Sequence, residues 1–328
     1  MRVVVVTTPG GPEVLAVAEA PVPVPAPASR EVRIRVAAAG LNGADLSQRR
    51  GFYPSPPGAP EWPGLEVSGE IDIVGDAVSE WHPGDRVCAL LPGGGYSEYV
   101  TVDAGLVLPV PPGVDLVEAA GLPEVAATVW SNVFQLAGLA EGETLLAHGG
   151  SSGIGSMAIQ LGRAFGATVI ATAGSPVKVA FCRELGADAA VDYRSEDFVE
   201  AVRAMTAGRG ADVILDVVGG DYIPRDLEAL AVGGRIMSIA SRSNQASSID
   251  MGLLMRKRAR IWGTTLRARP LAERVALIHE VRRHVWPLIA AGTVRPVIDS
   301  VFPLDDAPQA HRRMESSEHL GKILLQVS

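Results

Sequence analysis

The sequence predicts an α/β protein that combines a β-rich domain with a doubly wound parallel sheet. Three observations indicate this fold class. The length of 328 residues corresponds to about two domains at roughly 150 residues each. Up to about position 120, short β-branched runs recur between glycine and proline clusters. From Thr144 onward, apolar strands alternate with helices, which is typical of parallel strands covered on both faces.

Composition excludes several classes of protein. A hydrophobic share of 47% and a charged share of 20% fit a globular chain and exclude a disordered or fibrous one. The net charge of −8 argues against binding to nucleic acid. Only two cysteines, Cys88 and Cys182, are present, which excludes a disulfide scaffold and a cysteine-rich zinc site and fits a reducing cytoplasm. No apolar run is long enough to predict a membrane span or a secretory signal.

The β-rich region is predicted from runs of alternating or β-branched residues. Residues 21–27 and 54–63 are proline-rich and are predicted to be extended loops, because proline cannot occupy a central strand. The predicted strands cover residues 32–38, 67–74, 87–91 and 96–102.

The region after Leu122 is predicted from helical periodicity and from strand-to-helix alternation. Pro176 and Gly186 mark the start and the end of one of its helices. The predicted helices cover residues 124–136, 152–165, 176–185, 196–205, 271–285 and 307–315. The predicted strands cover residues 144–148, 168–172, 189–192, 212–217, 235–240, 259–265 and 322–327.

A glycine-rich turn stands between the first strand and the first helix of this alternating region, in LLAHGGSSGIGSMAIQ at residues 145–160. We expect Gly150 to permit the tight turn, Gly153 to admit a pyrophosphate against the backbone, and Gly155 to allow close packing of the helix. The helix N-terminus supplies N–H groups and partial positive charge. The pattern predicts dinucleotide binding by Gly150, Ser151, Ser152, Gly153, Ile154 and Gly155.

Residues 149–153 also fit G-x-S-x-G, the nucleophile elbow of an α/β-hydrolase. Asp216, followed by His279 or His284, would supply the remaining triad members in the correct order. This alternative leaves Gly155 unexplained.

Short-chain dehydrogenases carry a similar turn, but near the start of the chain and with a later Tyr-x-x-x-Lys pair. Here Tyr193 is followed four residues later by Asp197, and Tyr222 by Asp226, so that pair is missing.

The end of the second strand predicts which cofactor is bound. An NAD site usually has an acidic residue about 20 residues after the glycines, to hold the ribose 2′-hydroxyl. Ser175 stands at that position, with Lys178 three residues later and Tyr193 just after the third strand. A hydroxyl, an ammonium and a phenol suit a 2′-phosphate, so the sequence favours NADPH over NADH.

The chain resembles the medium-chain dehydrogenase/reductase superfamily over nearly its whole length. Within it, the sequence is most similar to zinc-free quinone oxidoreductases of the zeta-crystallin type, and among them to the p53-inducible group. The motifs that carry the resemblance are LNGAD (residues 41–45), PGLEVSG (63–69), PGDRV (83–87), LPGGG (91–95), HGGSSGIG (148–155), ATAGS (171–175), LDVVGG (215–220) and GKI (321–323).

The resemblance implies a GroES-like catalytic domain from residues 1–122 and 266–328, and a Rossmann NADPH-binding domain from residues 123–265. It also implies a homodimer. Ser175, Lys178 and Tyr193 match the residues that hold the 2′-phosphate in that family. The nicotinamide end is held there by residues that match Asn42, Tyr53, Thr128, Ile239 and Leu266. Gly174, Val217 and Ala240 complete the expected cofactor contacts.

The resemblance also implies that the residues which bind zinc in the zinc-dependent enzymes of that superfamily are replaced here. Leu65 stands where those members have a histidine ligand, so no metal is expected. Without a metal to form an alkoxide, the easier reaction is hydride delivery to an electron-poor acceptor. We expect quinone reduction, with Tyr53 and Asn42 as candidate hydrogen-bond donors to the acceptor oxygen. The alternatives are reduction of an enal or enone, and a low-activity NADPH-binding structural or RNA-binding protein.

Other motifs are interpreted as surface features. The pair His279 and His284 is spaced one residue too widely for an HExxH zinc site, and both are expected on a helix surface. His311 and His319 are also expected at the surface, and His148 is expected to end a strand. The basic run at residues 256–260 is interpreted as a charged edge. The strand that follows it would invite pairing with a second subunit.

Overall fold

The computed structural model describes residues 1–240 and 246–328, which form two compact units. Unit 1 comprises Met1–Ala127 and Arg267–Ser328, and unit 2 comprises Thr128–Leu266. Unit 1 is therefore built from both ends of the chain.

The N-terminal part of unit 1 is β-rich, as predicted. In β3, Val32, Ile34 and Val36 are buried while Arg33 and Arg35 point outward, so the two-residue alternation of the sequence sets the buried face. The elements are β1 (Arg2–Val6), β2 (Leu15–Glu19), β3 (Glu31–Gly40), α1 (Gly43–Arg49), β4 (Glu66–Val74), β5 (Arg86–Leu90), β6 (Tyr99–Asp103) and β7 (Val107–Pro109). Short 3₁₀ helices cover Pro12–Val14, Ala104–Leu106 and Glu118–Gly121.

The predicted helix over residues 124–136 forms as two consecutive pieces. Helix α2 covers Pro123–Val129, and a π-helical stretch continues it over Trp130–Leu136. Within the π-helical stretch, the Trp130 and Phe134 rings stack with centroids 4.9 Å apart, and both contact Phe165. These aromatic contacts stabilise the π-helical stretch, whose turns are wider than those of an α-helix.

Unit 2 is a six-stranded parallel sheet with the order β10-β9-β8-β11-β12-β13. Its elements are β8 (Thr144–Ala147), α3 (Gly153–Ala164), β9 (Thr168–Ala173), α4 (Pro176–Glu184), β10 (Ala189–Asp192), α5 (Phe198–Met205), β11 (Ala211–Asp216), α6 (Tyr222–Ala229), β12 (Leu230–Ser238), α7 (Met251–Lys257) and β13 (Arg260–Gly263). The chain moves outward from β8 to β10 and then returns to place β11 beside β8. This reversal creates the topological switch point at which doubly wound sheets bind ligands.

The C-terminal part of the chain completes the sheet of unit 1. The elements are α8 (Leu271–His284), α9 (Trp286–Ala290), β14 (Ile298–Pro303), α10 (Ala307–Glu315) and β15 (Lys322–Gln326), with a 3₁₀ helix over Leu304–Asp306. Strand β15 pairs antiparallel with β3, and the sheet has the order β14-β15-β3-β4-β5-β7, with β6 also paired to β3.

Both cysteines are free thiols inside the fold. Cys88 lies on β5 and Cys182 on α4, and neither is exposed to solvent. Burial raises the pKa of the Cys88 thiol well above its usual range and raises that of Cys182 to about 12. Among the described residues, no helix is long and apolar enough to cross a bilayer.

Candidate functional site

The glycine-rich turn connects β8 to α3 at the switch point of unit 2. Gly149 has φ of +64°, so the left-handed backbone lies one residue earlier than the Gly150 position expected from the sequence. Ser152 caps α3 by accepting the N–H of Gly155 at 3.1 Å. A Cβ on Gly155 would overlap the carbonyl oxygen of Gly149 and lie 2.5 Å from the Gly150 Cα. The turn can close only with glycine at position 155.

His148, at the start of this turn, is held by two hydrogen bonds to neighbouring elements. Its Nε2 lies 2.7 Å from Asp226 Oδ1 and its Nδ1 lies 2.9 Å from Thr172 Oγ1. The imidazole is fully buried, and its edge packs against the rings of Phe198 and Tyr222. Burial raises the pKa of Asp226, and the nearby imidazole opposes that shift. His148 therefore joins the ends of β8 and β9 to helix α6, which is a structural role.

A second group of polar residues lies at the neighbouring ends of β9 and β10. Ser175 caps α4 by accepting the N–H of Lys178, at 3.4 Å. The Tyr193 N–H donates to the carbonyl of Ala173, and the Tyr193 hydroxyl lies so close to Gly174 that a Cβ there would overlap it. The structure thus brings Gly174, Ser175, Lys178 and Tyr193 together. No carboxylate occurs between the end of β9 and Lys178.

The remaining residues predicted in unit 2 lie after the carboxyl ends of other strands or, for Thr128, within helix α2. Val217 follows β11, and a Cβ on Gly149 would be 3.0 Å from its Cγ2, so it packs against the turn. Ile239 follows β12, where its N–H donates to the Asp216 carbonyl, and Ala240 is next to it. Thr128 and Leu266 are mostly buried, at 8% and 9% exposed, at the two limits of the unit.

The hydrolase alternative receives no support from the geometry of its acid and histidines. The Asp216 carboxylate accepts the N–H groups of Val218 and Gly219 within unit 2. In unit 1, His279 is exposed and His284 lies 3.3 Å from Glu280 on the same helix.

Asn42 lies in a buried polar cluster of unit 1, just before α1. Its Nδ2 donates to Glu66 Oε1 at 3.0 Å and to the carbonyl of Gly40 at 3.3 Å, and its Oδ1 accepts from Lys322 Nζ at 2.8 Å. Lys322 Nζ is also 2.7 Å from Glu66 Oε1. Both amide hydrogens of Asn42 are thus engaged within the protein, which leaves Tyr53 as the candidate donor to an acceptor.

The same cluster includes Glu66 and lies next to Leu65, which stands where the sequence resemblance implies a replaced zinc-binding histidine. Leu65 is buried, and Glu66 is fully buried with Lys322 as its counter-ion and with a further hydrogen bond from the Glu124 N–H, at 2.8 Å. Within residues 1–240 and 246–328, no three His, Cys, Asp or Glu side chains lie close enough together to hold a metal ion.

Asp45 fixes the start of α1 beside this cluster. Its two carboxylate oxygens accept the N–H groups of Asn42 at 2.8 Å and of Gly64 at 3.0 Å. The residue is fully buried, and this burial raises the pKa of its carboxyl to about 6. The two hydrogen bonds hold the loop on which Asn42 stands.

Tyr53 lies on the loop that follows α1 and is partly exposed. The guanidinium of Arg267 packs over its ring, 5.0 Å from the ring centroid. Burial raises the pKa of the Tyr53 phenol, and the charge of Arg267 opposes that change. Sequence reasoning did not identify Arg267, because no motif marks an arginine whose partners lie far away in the chain.

The expectation that His311 lies at the surface is wrong. His311 is completely buried, with Nδ1 3.1 Å from Arg49 Nη1 and Nε2 3.2 Å from the Tyr96 hydroxyl. Arg49 in turn pairs with Glu315. These hydrogen bonds offset the cost of burying a polar ring, and only the three-dimensional structure brings the partners together.

The family models that match the chain cover both units. Residues 28–112 match the alcohol dehydrogenase GroES-like domain, and residues 153–283 match the zinc-binding dehydrogenase family. The quinone oxidoreductase of Rattus norvegicus is 33% identical over 327 residues, which cover 99% of this chain and 97% of the rat protein. A mycocerosic acid synthase-like polyketide synthase of Mycobacterium tuberculosis is 32% identical over 292 residues. Those residues are 89% of this chain and only 14% of the synthase.

Several solved structures are similar to this chain over all or nearly all of its length. A quinone oxidoreductase of Escherichia coli complexed with NADPH is 30% identical, with a TM-score of 0.86 over 99% of each chain. A protein described as an NAD-dependent alcohol dehydrogenase is 33% identical, with a TM-score of 0.88 over the whole of both chains. A 2-haloacrylate reductase is 27% identical, with a TM-score of 0.83 over the whole of both chains. The chain therefore belongs to the medium-chain dehydrogenase/reductase superfamily, with a GroES-like and a Rossmann domain.

Proposed function

We propose that this protein uses NADPH to reduce quinones by hydride transfer. The observation that carries the proposal is the group at the carboxyl edge of the unit 2 sheet. There Ser175, Lys178 and Tyr193 follow strands adjacent to a turn that only glycine can close. The rat and Escherichia coli relatives, both quinone oxidoreductases, support the acceptor class, and the latter was solved with NADPH.

The residues of unit 2 fit the phosphorylated cofactor. The turn at residues 148–152 and the N-terminus of α3 would receive the pyrophosphate, because helix N–H groups and the helix dipole favour anions there. Lys178, in the first turn of α4 after Ser175, would supply a positive charge for the 2′-phosphate together with the Ser175 and Tyr193 hydroxyls. A carboxylate at this position would instead repel that phosphate.

NADPH, when bound, supplies the hydride, which carries two electrons and one hydrogen to the acceptor. One quinone oxygen gains negative charge as the hydride arrives, so a hydrogen-bond donor near that oxygen lowers the barrier. We assign this role to the Tyr53 hydroxyl, because the amide hydrogens of Asn42 are engaged by Glu66 and Gly40. The second hydrogen of the hydroquinone arrives as a proton from Tyr53, which water then reprotonates.

The test is oxidation of NADPH and NADH with a panel of ortho-quinones, para-quinones and short enones. We expect turnover of quinones with NADPH and much slower turnover with NADH. Preference for NADH, the cofactor named for one structural relative, would contradict the cofactor assignment.

Replacing Lys178 by alanine tests the phosphate site directly. A charge-assisted contact contributes roughly 1.5–3 kcal/mol, so Lys178→Ala should weaken NADPH binding about ten- to a hundredfold and leave NADH binding almost unchanged. Arg203→Ala is the matched control. Arg203 is exposed, lies in the last turn of α5 and pairs with Glu200 of the same helix. Equal losses for both cofactors would refute the assignment.

Reduction of an activated alkene is the second candidate function, and the similarity to a 2-haloacrylate reductase favours it. The chemistry differs only in the acceptor, since hydride would add to an electron-poor carbon instead of a quinone. Turnover of enones or haloacrylates without turnover of quinones would select this function. Tight NADPH binding without turnover of any acceptor would select the non-enzymatic alternative.

A further inference from the structure

Arg267 is a buried cation of unit 1, only 6% exposed. Other buried cations of this unit have acidic partners, since Arg49 pairs with Glu315 and Lys322 pairs with Glu66. No carboxylate forms an ion pair with Arg267 within the part of the chain that the structure describes. Burying such a charge is costly, and burial lowers its pKa from the usual value. The cost of burying Arg267 must therefore be offset by its other contacts.

The guanidinium is held by neutral oxygen atoms from three separate segments. Its Nε donates to the Pro92 carbonyl at 2.7 Å, its Nη1 to Gln48 Oε1 at 2.9 Å, and its Nη2 to Ser55 Oγ at 2.8 Å. The Tyr53 carbonyl is 3.5 Å from Nη1. The planar guanidinium thus connects α1, the loop after it and the segment just after β5. A lysine could not donate to all of these atoms.

These contacts also stabilise the proline-rich part of the same loop. Ser55 Oγ donates to the Pro60 carbonyl at 2.7 Å, and Gln48 Nε2 donates to the Glu61 carbonyl at 2.8 Å. The two side chains that accept from Arg267, Gln48 and Ser55, therefore also donate hydrogen bonds to the loop. The loop that carries Tyr53 is held by a continuous hydrogen-bond network with the guanidinium at its centre.

The charge of Arg267 also acts on the Tyr53 phenol. Besides Arg267, the charged groups that influence this phenol are Glu124 and Asp45, and both raise its pKa, in addition to the larger effect of burial. Arg267 is the neighbouring cation that lowers it. The positive charge over the ring, 5.0 Å from its centroid, therefore favours proton donation by Tyr53.

We propose that Arg267 is the positioning residue of the acceptor site, which holds Tyr53 in place and favours proton transfer from its hydroxyl to the acceptor oxygen. This inference rests on the proposed role of Tyr53 in reduction by NADPH. It also narrows the class of acceptor. A tyrosine hydroxyl beside an arginine suits acceptors whose reduction places negative charge on an oxygen. In the balanced step, the acceptor carbon or oxygen gains the hydride, the developing oxyanion gains the phenolic proton, and water reprotonates Tyr53.

A double-mutant cycle in kcat/KM tests whether Arg267 acts through Tyr53. We expect Arg267→Gln to lower kcat about ten- to a hundredfold with a smaller change in KM, because a misplaced group can cost about a hundredfold. We expect Tyr53→Phe combined with Arg267→Gln to be no slower than Tyr53→Phe alone. Multiplicative losses in the double variant would overturn the proposal. Arg283→Gln, at an exposed position of α8, is the control and should match the parent protein.

A second measurement needs no turnover and so separates this inference from the proposed function. Fluorotyrosine placed at position 53 and followed by fluorine NMR reports the pKa of that phenol alone. We expect Arg267→Gln to raise this pKa and Arg267→Lys to leave it nearly unchanged, while the lysine variant still loses kcat because the planar guanidinium is lost. An unchanged pKa in Arg267→Gln would overturn the proposal. A raised pKa in a protein that reduces no quinone would refute the proposed function and leave the electrostatic effect established.

Discussion

Buried charged side chains of unit 1 are held by partners that lie far away along the chain. Arg49 contacts His311 across 262 positions, and Arg267 contacts Gln48 across 219 positions. Each buried cation requires partners that the fold alone can supply, because an unpaired charge strongly favours water. Such residues are structurally important even though no local motif marks them.

His311 makes the stability of the protein sensitive to acid. Arg49 always donates, so Nδ1 of His311 accepts and the ring is neutral. Burial, together with the charges of Arg49 and Arg50, lowers the His311 pKa to about 3. In the unfolded chain the imidazole takes up a proton near pH 6.5. The stabilisation that neutral His311 gives the folded protein is therefore complete above about pH 6.5 and is lost as the pH falls toward 3.

His311→Gln should reveal this contribution. At pH 7 we expect the variant to be less stable by about 1–3 kcal/mol, because hydrogen bonds to Arg49 and Tyr96 weaken. Below about pH 6 the gap in the free energy of unfolding should narrow by up to about 1.4 kcal/mol per pH unit, since the variant lacks the titrating ring. Denaturant unfolding at several pH values measures this gap. A gap that stays constant would contradict the prediction.

At the scale of elements, the sequence predicts the parallel sheet well because each strand is a short apolar run followed by a periodic helix. Strand β10 and helix α10 have the predicted bounds, and most others differ by one or two residues. Strand β12 begins five residues earlier than expected, since Gly233 and Gly234 resemble a turn but lie within the strand. The sequence does not predict helices α1, α6 and α7, which are only seven or eight residues long and so are too short to show a clear helical period.

The candidate residues of the two units also differ in how far the sequence predicts their surroundings. The grouping of Ser175, Lys178 and Tyr193 follows from adjacency in a parallel sheet, which the strand order makes predictable. The surroundings of Tyr53 depend on Arg267, which reaches the loop only when the chain returns to unit 1. Local patterns therefore predict the grouping of residues in unit 2 better than the contacts of Tyr53 in unit 1.

The turn between β8 and α3 gives a prediction for Gly155. Gly155→Ala should destabilise the protein by at least about 2 kcal/mol and reduce NADPH binding, because the added methyl group overlaps the Gly149 carbonyl. Gly263→Ala is the control, since a Cβ there would contact nothing within 4 Å. Calorimetric binding and thermal unfolding measure the two effects. If the two variants behave alike, the close approach seen in the turn is not a constraint.

At the scale of the whole molecule, both ends of the chain build unit 1, where β15 pairs with β3 over Leu324–Gly40 to Gln326–Ala38. This pairing closes the sheet of unit 1 only after unit 2 has been completed in the sequence. A truncation of the last strand should therefore disturb the β-rich unit, although the missing residues are more than 280 positions away from β3 in the chain.

The edge of the unit 2 sheet supports a prediction about assembly. Strand β13 is the last strand in the order, with β12 as its neighbour. An uncovered edge strand can pair with the same strand of a second copy. We expect sedimentation at micromolar concentration to give twice the chain mass of 34.3 kDa. A monomer under those conditions would contradict the homodimer.

Under the proposed function, the burial of both cysteines has a consequence for the stability of the protein toward its substrate. Quinones are electrophiles that alkylate accessible thiolates, so many proteins are inactivated by them. Here the two sulfur atoms are shielded from solvent and remain protonated, and the thiolate is the reactive form. We therefore expect neither thiol to be alkylated by the quinones that the protein is proposed to reduce.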